Sequence, residues 1–280
     1  FFWRPAAIRF PLPARVTRVT KPPAGKGIME AVSSFRKRVL VSMRNIYVPN
    51  QHGAWAMLIL PLLFGVIAST PTWRHALLFS AWLLAYLFSY AALQWIRTRR
   101  KPVWLGPIRL YGGLLLPAGA ALLVLEPDLL PLLPAAVPFV LINLYYAKRN
   151  RERAFLNDLA AVILFSLMTF AAFRVGDGAD AGLAFELFAL SVLYFTGTIF
   201  YVKTMIREKG SRAFYRYSVL YHAAFLAVVA WLYPPALIAA AAALLVRAVV
   251  MPRLAPPVMT IGILEIAWSA LVLICAWAAY

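Results

Sequence analysis

Long apolar runs, broken by clusters of charge or by Pro and Gly, dominate the chain from residue 53 to its end. Nine such runs cover roughly residues 53–69, 75–96, 110–125, 129–147, 155–173, 182–202, 214–233, 235–251 and 261–280. Each is close to the ~20 residues that an α-helix needs to cross the hydrocarbon of a bilayer. The pattern predicts an all-α, polytopic transmembrane bundle of about nine helices, with residues 48–280 as the transmembrane domain. The Pro-rich run from Pro127 to Pro138 leaves the third and fourth spans the least sharply defined. A Pro234-Pro235 turn must join the seventh span to the eighth.

The charges test this division. With the N-terminus in the cytoplasm, the connections on that side hold Arg97, Arg99, Arg100, Lys101 and Arg109, then Lys148, Arg149, Arg151 and Arg153. Lys203, Arg207, Lys209, Arg212 and Arg216 follow, and finally Arg247 and Arg253. The opposite connections hold only Arg74 and Arg174, and they collect Glu126, Asp128, Asp177, Asp180 and Glu186. Sixteen basic residues against two is the bias expected when cationic loops stay in the cytoplasm. A missed or extra span would scramble the alternation from that point onward.

Composition agrees with lipid as the solvent. Of the 280 residues 63% are hydrophobic, whereas a soluble domain is nearer half apolar. Lys and Arg number 28 against ten acids, a formal charge of +18. In a soluble protein that balance would suggest nucleic acid. Here no folded soluble domain is left over to bind it, so the cations read as topology signals beside anionic lipid, in a bacterial plasma membrane. The partners expected are membrane lipids, with no nucleic acid, and nothing in the sequence sets an oligomeric state. The single cysteine, Cys275, lies in an apolar run, which leaves no disulfide framework and no thiol metal cluster.

Residues 1–47 differ from the rest. The first fifty residues carry ten basic residues and one acid, with Pro and Gly between Pro22 and Gly27. The stretch reads as a basic tail at the membrane surface, or, for residues 1–28, as sequence ahead of a start at Met29. It does not read as a signal peptide, because no apolar core precedes a small-residue cleavage site. Glu30 to Tyr47 suit a short amphipathic helix at the interface, where Arg36, Lys37, Arg38 and Arg44 would meet anionic headgroups.

Polar residues inside the spans carry the functional information, since each costs free energy unless it faces protein or water. The second span has Tyr86, Ser89, Tyr90, Gln94 and Arg97 three and four apart, on one helical face. The fourth ends in Asn143, Tyr145, Tyr146, Lys148 and Arg149, and the fifth opens with Asn157 and Asp158. Tyr194, Thr198 and Tyr201 form a stripe leading to Lys203 and Arg207, and the seventh span begins Tyr215, Ser218, His222. All lie in the cytoplasmic half. Singly, these are interfacial anchors and interhelical hydrogen bonds. Together, five spans converging at one depth predict a polar cavity open to the cytoplasm, lined by Arg and Lys, which would attract an anionic or isoprenoid ligand.

Three ionisable residues need separate readings. His52, in Asn50-Gln51-His52-Gly53-Ala54-Trp55, and His222 sit at similar depth. No third ligand and no His-x-x-His pair accompanies them, so haem and metal are not expected, and His52 is read as hydrogen-bonding a neighbouring loop or substrate. His75 is on the other side and reads as a plain interface residue. Glu265, about one turn into the last span, is expected to pair with Arg247 or Arg253 in a buried ion pair, the alternative being a proton-coupling carboxylate.

The segment Val48-Pro49-Asn50-Gln51-His52-Gly53-Ala54-Trp55-Ala56-Met57, with the apolar run to Pro61, resembles the opening signature of the YwiC-like family of bacterial membrane proteins. Tyr145-Tyr146-Ala147-Lys148-Arg149 through Asn157-Asp158-Leu159 also fits that family. The resemblance implies no particular chemistry. A more distant resemblance is to the UbiA superfamily of intramembrane prenyltransferases, which also has nine helices. A Tyr-x-x-Lys-Arg element follows the fourth helix of that family, and Tyr145 to Arg149 is similar. Its two Asp-rich motifs would fall after the second and sixth spans, where this chain reads Gln94-Trp95-Ile96-Arg97-Thr98-Arg99-Arg100-Lys101 and Tyr201-Val202-Lys203-Thr204-Met205-Ile206-Arg207-Glu208. Neither contains Asp, so the hard oxygen ligands that Mg²⁺ needs are missing. Mg²⁺-dependent prenyl transfer is not expected, and no cofactor is.

Three classes of function follow. The first binds or transforms an anionic lipid-soluble substrate without Mg²⁺: Arg97, Arg99, Lys148, Arg149, Lys203 and Arg207 grip the anion, while Gln51, His52, Gln94, Asn143, Asn157, Asp158, Tyr201 and His222 complete the site. The second is an anion or small-molecule transporter, kept in view by the broken-looking third and fourth spans. The third is a non-catalytic assembly or regulatory protein.

Overall fold

The computed structural model describes residues 46–49, 52–99 and 101–280, with the backbone of His52 but not its side chain. The expectations for residues 1–45, Gln51, the His52 side chain and Arg100 fall outside the described residues. Among those described, every regular element is helical: α1 (His52–Ile67), α2 (Arg74–Arg97), α3 (Leu105–Leu125), α4 (Leu132–Lys148), α5 (Phe155–Ser166), α6 (Met168–Val175), α7 (Ala181–Ile206), α8 (Arg212–Leu232), α9 (Pro235–Leu254) and α10 (Val258–Ala279). Short 3₁₀ turns at Pro102–Trp104 and Pro127–Leu129 lead into α3 and α4. Since α5 and α6 run on from each other, the ten segments make nine rods, one for each apolar run.

Seven of these rods are long and apolar enough to cross a membrane, α5 and α6 counting as one; α1 and α4 are shorter apolar helices. This is a multi-pass membrane protein. The third rod starts five residues ahead of the expected boundary, because Pro107 falls in its first turn, where a missing N–H costs nothing, and the helix takes in Arg109. The fifth run is broken at Leu167 without any Pro or Gly. Its two halves are held differently: Ser166 Oγ meets Ser191 Oγ of α7 at 2.8 Å, and Thr169 Oγ1 donates to the Pro61 carbonyl of α1 at 3.0 Å.

The centre of the bundle is α1, which packs against α5, α6, α7 and α10. Gly65 makes the α1–α6 approach possible: a Cβ there would lie 2.5 Å from Ala172 Cβ and closer still to the Thr169 carbonyl oxygen. The main core, built on Phe64, Leu187, Leu190, Phe195, Val229, Leu244 and Val272, joins α1, α7, α8, α9 and α10. On the other flank α2 packs on α3 and α4 on α5. Only 11% of the apolar window of α3 is buried, so lipid is its principal neighbour.

At the end opposite the basic loops, Arg74 donates to Glu126 at 2.9 Å and to Asp177 at 2.5 Å. His75 is not a plain interface residue. It is buried, accepts from the Thr72 N–H at Nδ1 (3.1 Å), and therefore donates from Nε2 to the Ala172 carbonyl at 2.9 Å, which ties α2 to α6. Glu186 accepts the Tyr280 hydroxyl at its carboxylate and the Tyr233 hydroxyl at its carbonyl, joining the ends of α7, α8 and α10. Burial first, and Glu186 second, pushes the Tyr233 phenol up to about 12.

Candidate functional site

The residues expected to line one cavity divide between two places. The first is at the basic end, where α2, α4 and α5 meet. Helix periodicity puts Tyr90, Leu93 and Gln94 on one side of α2, and they face Asn143 and Ala147 of α4, Glu152 of the connection, and Asn157 of α5 across a pocket of about 10 Å³, room for roughly one water molecule. Asn143 Nδ2 donates to the Phe139 carbonyl at 2.8 Å, and Asn157 Nδ2 to the Glu152 carbonyl at 2.6 Å. Gln94 Oε1 and Asn157 Oδ1 are buried without a hydrogen-bond partner among the described groups.

Carboxylates hold the cations around this pocket. Arg97 Nη1 donates to Glu152 Oε2 at 2.9 Å. Lys203 Nζ, at the end of α7, donates to Asp158 Oδ2 at 2.8 Å and to the Arg153 carbonyl at 2.7 Å. Asp158 stands in the first turn of α5, where the helix dipole favours an anion, so one carboxylate suits the start of one helix and pairs with the cation at the end of another. Arg207 lies just past α7, and burial, with Arg153 adding like charge, pushes its guanidinium down from its ordinary value. Lys148 and Arg149 do not join the pocket. Both are exposed at the end of α4, and the Arg149 guanidinium lies 5.2 Å from the Tyr145 ring centroid.

The second place is a buried polar cluster among α7, α8, α9 and α10. Arg247, counted from sequence as a loop cation, is inside α9 with no exposed side-chain surface. Its Nη1 donates to Glu265 Oε1 at 2.7 Å, so Arg247, and not Arg253, is the partner of Glu265. Its Nη2 donates to His222 Nε2 at 3.3 Å, and its guanidinium carbon stands 4.2 Å from the Tyr201 ring centroid. His222 accepts at Nε2 and so carries its proton on Nδ1, donating to the Ser218 carbonyl at 2.7 Å. Gly197 admits the imidazole, since a Cβ there would come 3.3 Å from Nε2. Tyr194 and Ser269 hydroxyls meet at 2.9 Å, and Ser269 donates to the Glu265 carbonyl at 2.8 Å.

Tyr201 and His222 thus belong to a site that the sequence merged with the first. Lys203 and Tyr201 are two residues apart on α7, which turns them to different faces. Glu152 escaped the sequence reading, and Arg247 was expected as a partner of Glu265 but not as the group that gathers Tyr201 and His222; each has a visible signal. Glu152 is the lone acid in Lys148-Arg149-Asn150-Arg151-Glu152-Arg153, and Arg247 is the lone charge in the apolar run of α9. Among the described residues no group of three or more His, Cys, Asp or Glu side chains is placed to hold a metal ion.

Comparison with known proteins gives relatives without a chemistry. A family model described as YwiC-like protein matches residues 48–173. A Bacillus subtilis protein described as "Uncharacterized protein YwiC" is 37% identical over 178 residues, which are 62% of this chain and 73% of that one. A Haemophilus influenzae protein described as uncharacterized is 28% identical over 227 residues, 80% of this chain and 94% of that one. No solved structure matches, and the distant prenyltransferase resemblance gains no support from these comparisons.

Proposed function

The chain belongs to the YwiC-like family, and from that premise we propose that it binds the polar headgroup of an anionic, lipid-soluble ligand at its cytoplasmic end, in a bacterial plasma membrane and without Mg²⁺. The observation that carries this reading is the pocket among α2, α4 and α5, where buried amide groups of Gln94 and Asn157 face Glu152 beneath Arg97. The pocket as it stands admits roughly one water molecule, so a headgroup would enter only by displacing Glu152 from Arg97, with the ligand's apolar tail outside, along the lipid-facing surface of α4. Arg97 offers bidentate recognition of phosphate or carboxylate, and Lys148, Arg149 and Arg151 stand exposed nearby to raise the local concentration of an anion. An incoming anion would exchange with Glu152 on Arg97, which keeps the cation count neutralised in either state.

The test is native mass spectrometry of the protein in mild detergent, followed by lipid extraction. The expected result is a stoichiometric anionic or isoprenoid species that is lost in a Gln94→Leu/Asn157→Leu variant and weakened in Arg97→Gln. Recovery of bulk phospholipid alone would remove this function. A transporter is the second reading. It is favoured by ion pairs at both ends of α2, Arg97–Glu152 at one and Arg74–Glu126 at the other, and saturable anion uptake into proteoliposomes is what it requires.

A further inference from the structure

The polar cluster among α7, α8, α9 and α10 has no part in the headgroup reading, yet its construction is unusual for a static ion pair. Taking two charges out of water is costly, and their attraction compensates only when the remaining donors and acceptors are also satisfied. Here they are not. The Arg247–Glu265 contact uses one N–H and one carboxylate oxygen, and both Arg247 Nε and Glu265 Oε2 are buried without a hydrogen-bond partner among the described groups. The same holds for Tyr201 OH, Ser218 Oγ and Trp268 Nε1 around them. A packing device would use the bidentate fork that Arg and carboxylate readily form; here the contact with Arg247 is single, and the Thr198 hydroxyl of α7 lies beside the carboxylate.

Charge and depth say what this carboxylate suits. Arg247 and Glu265 cancel, and His222 is neutral because its Nε2 accepts from Arg247, so the cluster has no surplus charge for an anion and no second carboxylate for a metal. It can gain one proton. Arg247 is seven residues before the end of α9 and Glu265 seven after the start of α10, each ~10 Å from the basic end by the helical rise. Tyr201 and Ser218 lie nearer that end than His222, five and six residues from the termini of α7 and α8. By helical rise both residues are shallower than Glu265, and their hydroxyls can both donate and accept.

We propose that Glu265, Arg247 and His222 form a proton-binding site inside the membrane, reached from the basic end past the hydroxyls of Tyr201 and Ser218. The proton comes from cytoplasmic water. It bonds to Glu265 Oε2, the carboxylate becomes a neutral acid, and the cluster passes from zero to one positive charge. Arg247 stays protonated, gives up its ionic partner, and rests on His222 Nε2 and the Tyr201 ring face. The groups that face Glu265 are Arg247 from α9, His222 from α8, and Tyr194 and Tyr201 from α7. From α1, which packs on α10, the titratable residue is His52, at the first position of the helix. The site is independent of whatever occupies the α2–α4–α5 pocket.

Infrared difference spectroscopy of the full chain in lipid nanodiscs, stepped from mildly alkaline to mildly acidic pH, tests this. The wild type is expected to gain a protonated-carboxyl C=O band that shifts in D₂O. The band should be absent from Glu265→Gln and displaced in frequency in Glu265→Asp. A wild type with no such band overturns the proposal, and so does a folded Glu265→Gln variant with an unchanged spectrum. If Glu265→Gln does not fold, Glu265→Asp decides: a displaced band supports the site, and an unmoved one removes it.

Discussion

Lys203 and Asp158 show how a single contact serves several purposes. The carboxylate is almost fully buried and the ammonium nearly so, with side-chain exposures of 4% and 11%. Asp158→Ala would leave a buried cation holding only the Arg153 carbonyl, and we expect it to destabilise the protein by about 3 kcal/mol. Asp158→Leu/Lys203→Leu should recover most of that, because the removed charges no longer need hydration. Thermal midpoints of the three proteins in detergent measure it, and a double variant worse than the single one would contradict the assignment. The positions of such residues were legible in the sequence, because a polar group in an apolar run stands out against its cost in lipid. Their pairing was not. Whether Lys203 meets Asp158 or an anionic ligand depends on which helices are neighbours, and an apolar run is silent on that. Tyr201 and His222 were therefore placed in one cavity with Gln94, although Arg247 draws them to another.

Helices were easier to read than contacts. The sixth run, expected over 182–202, is α7 from Ala181 to Ile206, since bilayer thickness sets run length whatever the packing. The break at Leu167 had no such signature, because it is imposed by Ser191 and Pro61 on separate neighbours. Two substitutions probe elements directly. Gly65→Val should force α1 and α6 apart and cost about 1–3 kcal/mol of stability, seen as earlier unfolding on heating; an unchanged midpoint would mean that the two helices are not in contact. Ala255, which ends α9 in the left-handed region at φ 46°, should act oppositely. Ala255→Gly relieves a conformation that L-residues avoid and is expected to raise stability by about 0.5–1 kcal/mol, a shift in the reverse direction in the same assay.

Across the whole molecule the two ends are chemically distinct, and the positive-inside bias assigns the basic one to the cytoplasm. With Cys275→Ser as background, single cysteines at Arg151 and Gly210 should react with an impermeant reagent only from the cytoplasmic side. Cysteines at Asp128 and Asp180 should react only from the other. Labelling of all four from one side would break the topology. The rods are also unequal. α4 has 17 residues and α7 has 26, lengths of ~26 and ~39 Å at 1.5 Å per residue, against a hydrocarbon layer of ~30 Å. The α4 edge therefore asks for a thinner bilayer than its neighbours, whereas α7, the longest rod, can tilt to fit. A membrane around this protein is under a sideways gradient of thickness, and lipids with shorter acyl chains should gather at the α4 side because they relieve the mismatch at the least elastic cost.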